Sequence, residues 1–164
     1  MREQRVSVWH YAVWTVPVIL GLGMLSGWVS NSGYGNDWFD ALRKPATMPP
    51  GWTFGAAWTL LYILLGLAFA LLLAAAPKRG RGIAVGLFSI QMLLNFSWSP
   101  IFFGMGQAKA GLVVIVLMLA MSVAAAVMLY RIDRRAGLLM VPYLAWLTFA
   151  AHLNYEIIRL NPGV

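Results

Sequence analysis

Five long stretches of this chain carry no charged side chain: 6–36, 45–77, 82–108, 110–130 and 136–155. A hydrocarbon core about 30 Å thick is crossed by roughly 20 helical residues, so each stretch can span one. Membrane strands need about ten residues with alternating apolarity, whereas "LVVIVLMLAMSVAAAVML" is apolar on every side. Helices fit and strands do not. Trimming each stretch at its turn signals predicts helices at 8–29, 52–75, 82–103, 109–130 and 137–158. The expected fold is an all-α membrane protein, a five-transmembrane-helix bundle forming one domain over 1–164. The first span is too long for a cleavable signal and runs straight into an aromatic loop. That loop, 30–51, is the one connection long enough to carry a function of its own.

Composition agrees with this reading. Of 164 residues, 61% are apolar and 10% charged, too few charges to furnish a water-facing surface. The chain has no cysteine, which removes disulfide scaffolds, cysteine-ligated zinc or iron–sulfur sites, thioether haem attachment and thiol catalysis. The net charge of +7 suits loops facing anionic lipid rather than nucleic acid. Arg2, Arg5, Lys78, Arg79, Arg81, Arg131, Arg134 and Arg135 fall on one side of the predicted spans, against Arg43, Lys44, Lys109 and Arg159 on the other. The positive-inside rule then puts the N-terminus in the cytoplasm and loop 30–51 outside it. Helical spans favour an inner membrane over an outer one, whose proteins are normally barrels, but the positive-inside rule describes insertion and leaves later sorting open.

The spans lack the usual signs of ion or proton movement, which are intramembrane charges. Glu156 stands three residues before Arg159, a same-face ion pair at the interface being the simpler reading than a proton relay. His10 is interfacial. His152 has no second histidine on its face, so a packing role is expected rather than haem ligation, and no metal site is expected. No phosphate loop, paired carboxylates or nucleophile elbow appears, so conventional hydrolytic or phosphoryl chemistry has no candidate residues.

Aromatic residues are abundant instead, with eight Trp, six Tyr and eight Phe. Trp9, Tyr11, Trp28, Trp38, Trp52 and Tyr130 suit an interfacial belt. Trp58, Trp98 and Trp146 fall deeper. Helical spacing gathers Phe54, Trp58, Tyr62 and Phe69 on one face of the second span. It does the same for Gln91, Asn95, Trp98 and Phe102 on the third, and for Tyr143, Trp146, Ala150 and Asn154 on the fifth. Carboxamides facing lipid would lack partners, so Gln91, Asn95 and Asn154 should point inward. Two readings follow: interhelical glue, or a pocket for a flat, greasy ligand, with Trp58, Tyr62, Gln91, Asn95, Trp98, Tyr143 and Trp146 as its contacts. "GMLSG" and "GIAVG" are small-xxx-small patterns, the second offering Gly82 and Gly86 as a homodimer face. Leu153, Tyr155 and Arg159 fit a loose sterol-binding pattern, which an interfacial tyrosine and a snorkelling arginine also satisfy.

The segment "WFDALRKPATMPPGWTFGAAWTLLY" resembles the first loop and second helix of the translocator protein family, the tryptophan-rich sensory proteins or peripheral benzodiazepine receptors. "QMLLNFSWSPIFFG" is similar to its third helix and "VPYLAWLTFAAHLNYEIIRLN" to its fifth. The resemblance implies a five-helix bundle, commonly dimeric, that binds porphyrins, sterols and benzodiazepine-type ligands in a cavity beneath the first loop. It implies contacts from Trp58, Gln91, Asn95, Trp98 and Trp146, and it matches Trp58 and Trp146 to the tryptophans tied to porphyrin photodegradation. Tyr155 and Arg159 match the sterol-motif positions. Glu156 departs from the second aromatic of the animal pattern, and Ala46 and Thr47 stand where many members carry an aromatic, which argues against a sterol as the native ligand. The expectation is a membrane receptor or carrier for a haem-type or other porphyrin tetrapyrrole, with no obligatory cofactor and with membrane lipid and a second copy as partners. Trp38 and Trp52 would stand at its mouth, and Arg43 and Lys44 would meet the propionates. The alternative is light-driven porphyrin degradation on the cavity tryptophans.

Overall fold

A computed structural model describes residues 7–77 and 79–164. The chain runs through helices α1 (Val8–Val29), α2 (Asp37–Ala41), α3 (Gly51–Ala74) and α4 (Arg81–Ser99), then a π-helical turn, Pro100–Gly104. It continues through α5 (Ala108–Ile132), α6 (Arg134–Leu139) and α7 (Val141–Leu160). Five helical segments are long and apolar enough to cross a membrane, α4 with its π-turn counting as one and α6 with α7 as another. The described residues contain no strand. The bounds expected from turn signals hold to within a residue or two except at the fifth span, which starts at Arg134 and breaks at Met140. Pro142 explains the break, since it has no backbone N–H to continue the ladder into α7. Asp133 caps α6 by accepting from the Arg135 backbone N–H at 2.8 Å. Hydrogen bonding to the Arg135 side chain holds its carboxyl below the usual carboxylate range.

The N-terminal calls on Arg2 and Arg5, and that on Lys78, lie outside the described residues. Of the remaining cations, Arg81, Lys109, Arg131, Arg134, Arg135 and Arg159 stand in the first or last turn of a helix, and Arg43, Lys44 and Arg79 lie in connections. Arg81 turns back onto α3, where its guanidinium donates to the carbonyls of Leu72 and Leu73 at 3.2 and 2.5 Å. It thus satisfies acceptors that the helix terminus leaves unpaired.

Helices α1 and α3 are clasped tightly over the half of the bundle away from loop 30–51. Thr15 Oγ1 donates to the Gly66 carbonyl at 2.8 Å in a buried contact. A methyl group on Gly66 would lie 2.6 Å from the Val16 Cα, so the two backbones meet only because that side chain is absent. One turn higher in the clasp the ring of Tyr62 fills the space that a Gly23 side chain would occupy. The glycine of "GMLSG" thus serves packing within the chain. By contrast Gly82 and Gly86 are exposed and face open space. The same half of the bundle is a packed core. Leu65, Leu72, Phe88, Leu129 and Met140 are fully buried there, and Phe69 stacks on Phe88 at 4.6 Å.

The clasp predicts a paired result. Gly66→Ala should destabilise the protein by about 1–3 kcal/mol through overpacking. Gly21→Ala on α1, where an added methyl meets nothing, should be neutral or raise stability by up to about 1 kcal/mol from helix propensity. Thermal unfolding of both variants in detergent micelles checks this.

Candidate functional site

The loop-side half of the bundle is open where the other half is filled. A cavity of about 630 Å³ lies there, within the roughly 300–1,000 Å³ typical of small-molecule sites. Its walls come from every long helix. Gly23, Gly27 and Trp28 belong to α1; Phe54, Gly55, Trp58 and Tyr62 to α3. Asn95 and Trp98 come from α4, Ile115 and Met118 from α5, and Trp146, Ala150 and Asn154 from α7. Loop 30–51 roofs it with Tyr34, Phe39 and Met48.

Aromatic packing sets the shape of the walls. Trp58 stacks on Tyr62 with centroids 5.3 Å apart and meets Trp146 edge-on at 6.3 Å. Phe54 closes the other side of Trp146, at 6.0 Å. Across the cavity Trp98 stacks on Phe102 at 4.9 Å and 15°. That pair depends on the π-turn, where Met105 donates its N–H to the Pro100 carbonyl. The wider turn re-aims Phe102 and Phe103 toward the cavity and the roof, a frequent use of π-helical geometry at functional sites.

Polar side chains make the floor. Tyr62 Oη donates to Asn95 Oδ1 at 2.9 Å, and Asn95 Nδ2 donates to Tyr143 Oη at 3.0 Å. Tyr143 Oη in turn donates to Gln91 Oε1 at 2.9 Å, and Ser122 Oγ donates to the same oxygen at 3.2 Å. On the far wall Asn154 Nδ2 donates to the Ala108 carbonyl at 2.9 Å, while its Oδ1 accepts from Trp98 Nε1 at 3.4 Å. Among the described residues two buried donors have no partner, Gln91 Nε2 and Trp146 Nε1. The second belongs to a ring on the cavity wall.

The structure sorts the sequence candidates. Trp58, Tyr62, Asn95, Trp98 and Trp146 converge on one cavity, together with Phe54, Phe102, Ala150 and Asn154 from the same helical stripes. Gln91 and Tyr143 do not line it: both are fully buried one layer behind, where Tyr143 accepts from Asn95 and donates to Gln91. Phe69 belongs to the packed half. The mouth residues separate. Trp38 packs edge-on against Phe102 at 5.3 Å and pins the loop to the π-turn, whereas Trp52 is 75% exposed and off the cavity.

Lys44 corrects the charge assignment. Its ammonium donates to the carbonyls of Phe39, Asp40 and Leu42 at 2.8–3.3 Å, using all three of its hydrogens to close the end of α2. Arg43 remains as the exposed cation of the pair. The sterol pattern is divided too. Leu153 is buried on the cavity wall, Tyr155 is exposed on the opposite face, and Arg159 holds Glu156 in an ion pair at 2.6 Å. His152, expected to pack, is exposed on the outside of α7. Among the described residues no cluster of His, Cys, Asp or Glu could hold a metal ion.

Sequence reasoning missed the α1 contribution and Ser122. Gly23 and Gly27 read only as packing glycines and Trp28 as interfacial. Ser122 did carry a signal, being the one polar side chain between Lys109 and Tyr130. The roof is held by another unforeseen contact. Asn161 accepts from the Arg43 N–H and donates to the Arg43 carbonyl, both at 2.9 Å, clamping loop 30–51 to the end of α7. Asn161→Ala should speed tryptic cleavage between Arg43 and Lys44 several-fold in detergent. Because the contact is exposed, global stability should fall by only about 1 kcal/mol.

The TspO/MBR family model matches residues 14–160. The chain is 43% identical over 126 residues to the tryptophan-rich protein TspO of Chlorobaculum tepidum, covering 76% of this chain and 80% of that protein. It is 37% identical to protein CrtK of Rhodobacter capsulatus, over 77% of this chain and 79% of that one. It is also 37% identical to the translocator protein of Homo sapiens, over 80% and 79% respectively. A five-span helical bundle with this sequence match is an integral multi-pass membrane protein, and the chain belongs to the TspO/MBR family.

Proposed function

We propose that this protein is a membrane receptor or carrier that binds porphyrin-type tetrapyrroles in the aromatic cavity. The observation that supports the reading best is the convergence of Trp58, Trp98 and Trp146, from three helices, on one chamber. Ring faces and edges suit a flat apolar macrocycle, and stacking on them adds to the gain from removing its surface from water. Trp146 Nε1, buried without a partner, offers a donor to an acceptor on the ligand. Arg43, exposed in the loop that forms the roof, is the cation for propionate groups, since Lys44 is committed to the loop. Relatives named as sensory and translocator proteins support a receptor or carrier role. Flat synthetic ligands of the benzodiazepine type and sterols would compete for the same space, the sterol at a disadvantage because its motif faces two ways. The N-terminus lies in the cytoplasm, the roof lies outside it, and a second copy docks on the face of Gly82 and Gly86.

Titrating protoporphyrin IX into the solubilised protein, followed by tryptophan quenching, tests the binding. Trp58→Ala and Trp146→Ala should each weaken it about tenfold, equivalent to about 1.4 kcal/mol. Trp52→Ala, off the cavity, should leave the affinity unchanged. Equal affinity in all three variants would remove the rings from the site.

One observation favours a second reading, light-driven breakdown of bound porphyrin. Trp146, Trp58 and Tyr62 form a continuous run of oxidisable rings along one wall. Illuminated porphyrin with dioxygen as oxidant would supply the chemistry, and the protein would supply position and redox-active neighbours. Bleaching of the porphyrin band should then require protein, light and oxygen together, and should slow in Trp58→Phe and Trp146→Phe. Uphill transport has less support, because the one acidic side chain within the spans, Glu156, is paired with Arg159.

A further inference from the structure

The floor of the chamber is a continuous hydrogen-bonded chain through four helices: Tyr62 on α3, Asn95 on α4, Tyr143 on α7, Gln91 on α4 and Ser122 on α5. Only the first two line the cavity. As it stands every hydrogen from Tyr62 to Gln91 points away from the ligand space. The Tyr62 hydroxyl donates to Asn95, Asn95 to Tyr143 and Tyr143 to Gln91, which also receives Ser122. This polarity leaves Gln91 Nε2, on a residue that is fully buried, with no acceptor for its hydrogens. A buried donor without a partner is among the more costly features of a protein interior.

The same heavy-atom positions fit the opposite polarity. Each link joins a hydroxyl to a carboxamide, and a carboxamide turned over exchanges its donor and acceptor ends without moving its neighbours. Gln91 Nε2 would then donate to both Tyr143 Oη and Ser122 Oγ, Tyr143 to Asn95 Oδ1, and Asn95 Nδ2 to Tyr62 Oη. Ser122 would send its hydrogen to the carbonyl one turn back on its own helix, a bond that buried serines readily make. The stranded donor finds partners, and a carbonyl oxygen is left in its place, which is a lesser fault. The cost moves to the other end. The Tyr62 hydroxyl hydrogen is expelled from the chain toward the chamber, where it needs an acceptor.

We propose that this chain is a polarity relay, in which a ligand acceptor placed beside Tyr62 reverses all the links and relieves the unpaired amide of Gln91. Tyr143, Gln91 and Ser122, which touch no ligand, are then positioning residues that set the specificity of the chamber for flat ligands bearing a carbonyl, carboxylate or similar acceptor. The inference deepens the binding reading above and rests on it. It also makes Ser122 a reporter on α5 of what occupies a cavity it does not line.

Two probes of the same shape separate the relay from a scaffold role. Benzophenone carries a carbonyl where 1,1-diphenylethylene carries a carbon–carbon double bond. Their affinities are measured by tryptophan quenching for the full-length protein in lipid nanodiscs, and for the Ser122→Ala and Tyr143→Phe variants. The relay predicts that wild type prefers the ketone. That preference should fall about tenfold in Tyr143→Phe, which cuts the chain, and about threefold in Ser122→Ala, which removes one partner of Gln91, with hydrocarbon affinity unchanged. A merely structural role would move both probes together. Should Tyr143→Phe fail to fold, Ser122→Ala carries the test, since it trims a single buried hydroxyl. Binding of both probes with no preference in wild type, or with a preference that both variants keep, overturns the relay and leaves the chamber standing. Failure of wild type to bind either probe removes the chamber reading and the relay with it.

Discussion

Hydrocarbon offers no hydrogen bonds, and the architecture follows from that constraint. Every polar group carried into the spans must find its partner inside the protein. Helices satisfy the backbone. The carboxamide side chains of the spans bond in two places, the floor formed by Tyr62, Asn95, Tyr143, Gln91 and Ser122, and the site where Asn154 meets Ala108 and Trp98. These contacts tie α3, α4, α5 and α7 together at the depth where packing gives way to open space. The bundle is therefore filled on one side of the floor and hollow on the other.

The hollow survives because the helices are held apart by rings and held together elsewhere. Below the floor, Thr15 and Gly66 bring α1 and α3 into backbone contact. Above it, Ser26 Oγ reaches the Phe96 carbonyl at 2.6 Å, and Ser32 meets Ser99 through their hydroxyls, so α1 leans on α4 instead. Between these two attachments Trp58, Trp98 and Trp146 brace the walls. Loop 30–51 closes the top as a structured roof. Asn36 caps α2, Lys44 ends it, Trp38 hooks onto the π-turn and Asn161 clamps Arg43. The longest connection in the chain is thus also one of its most heavily bonded.

Much of this was legible in the sequence because the bilayer limits the choices. Absence of charge fixed the number of spans, and helical spacing placed Trp58, Asn95, Trp98, Trp146 and Asn154 on inward faces. The errors share a cause. Periodicity gives the direction of a side chain from its own axis but not how far the neighbouring helix stands from it. Gln91 and Tyr143 point inward as expected, yet they stop behind Asn95. Phe69 shares a stripe with Trp58 and packs in the filled half. Lys44 looked like a free cation because a sequence does not show which carbonyls a loop leaves unpaired. The sterol pattern read as one unit although Leu153 and Tyr155, two residues apart on a helix, face opposite ways.

The amino-acid sequence alone determined the membrane class, the five spans, the polar and aromatic stripes and the family, because each is a property of one segment at a time. Tertiary structure alone decided that the stripes of α3, α4 and α7 meet around a cavity, that α1 supplies part of its wall, and that Ser122 closes a polar chain beneath it. Those facts depend on distances between helices. Such distances are set by where two backbones can touch, as at Gly66, and where indole rings keep them apart, as at Trp58 and Trp146.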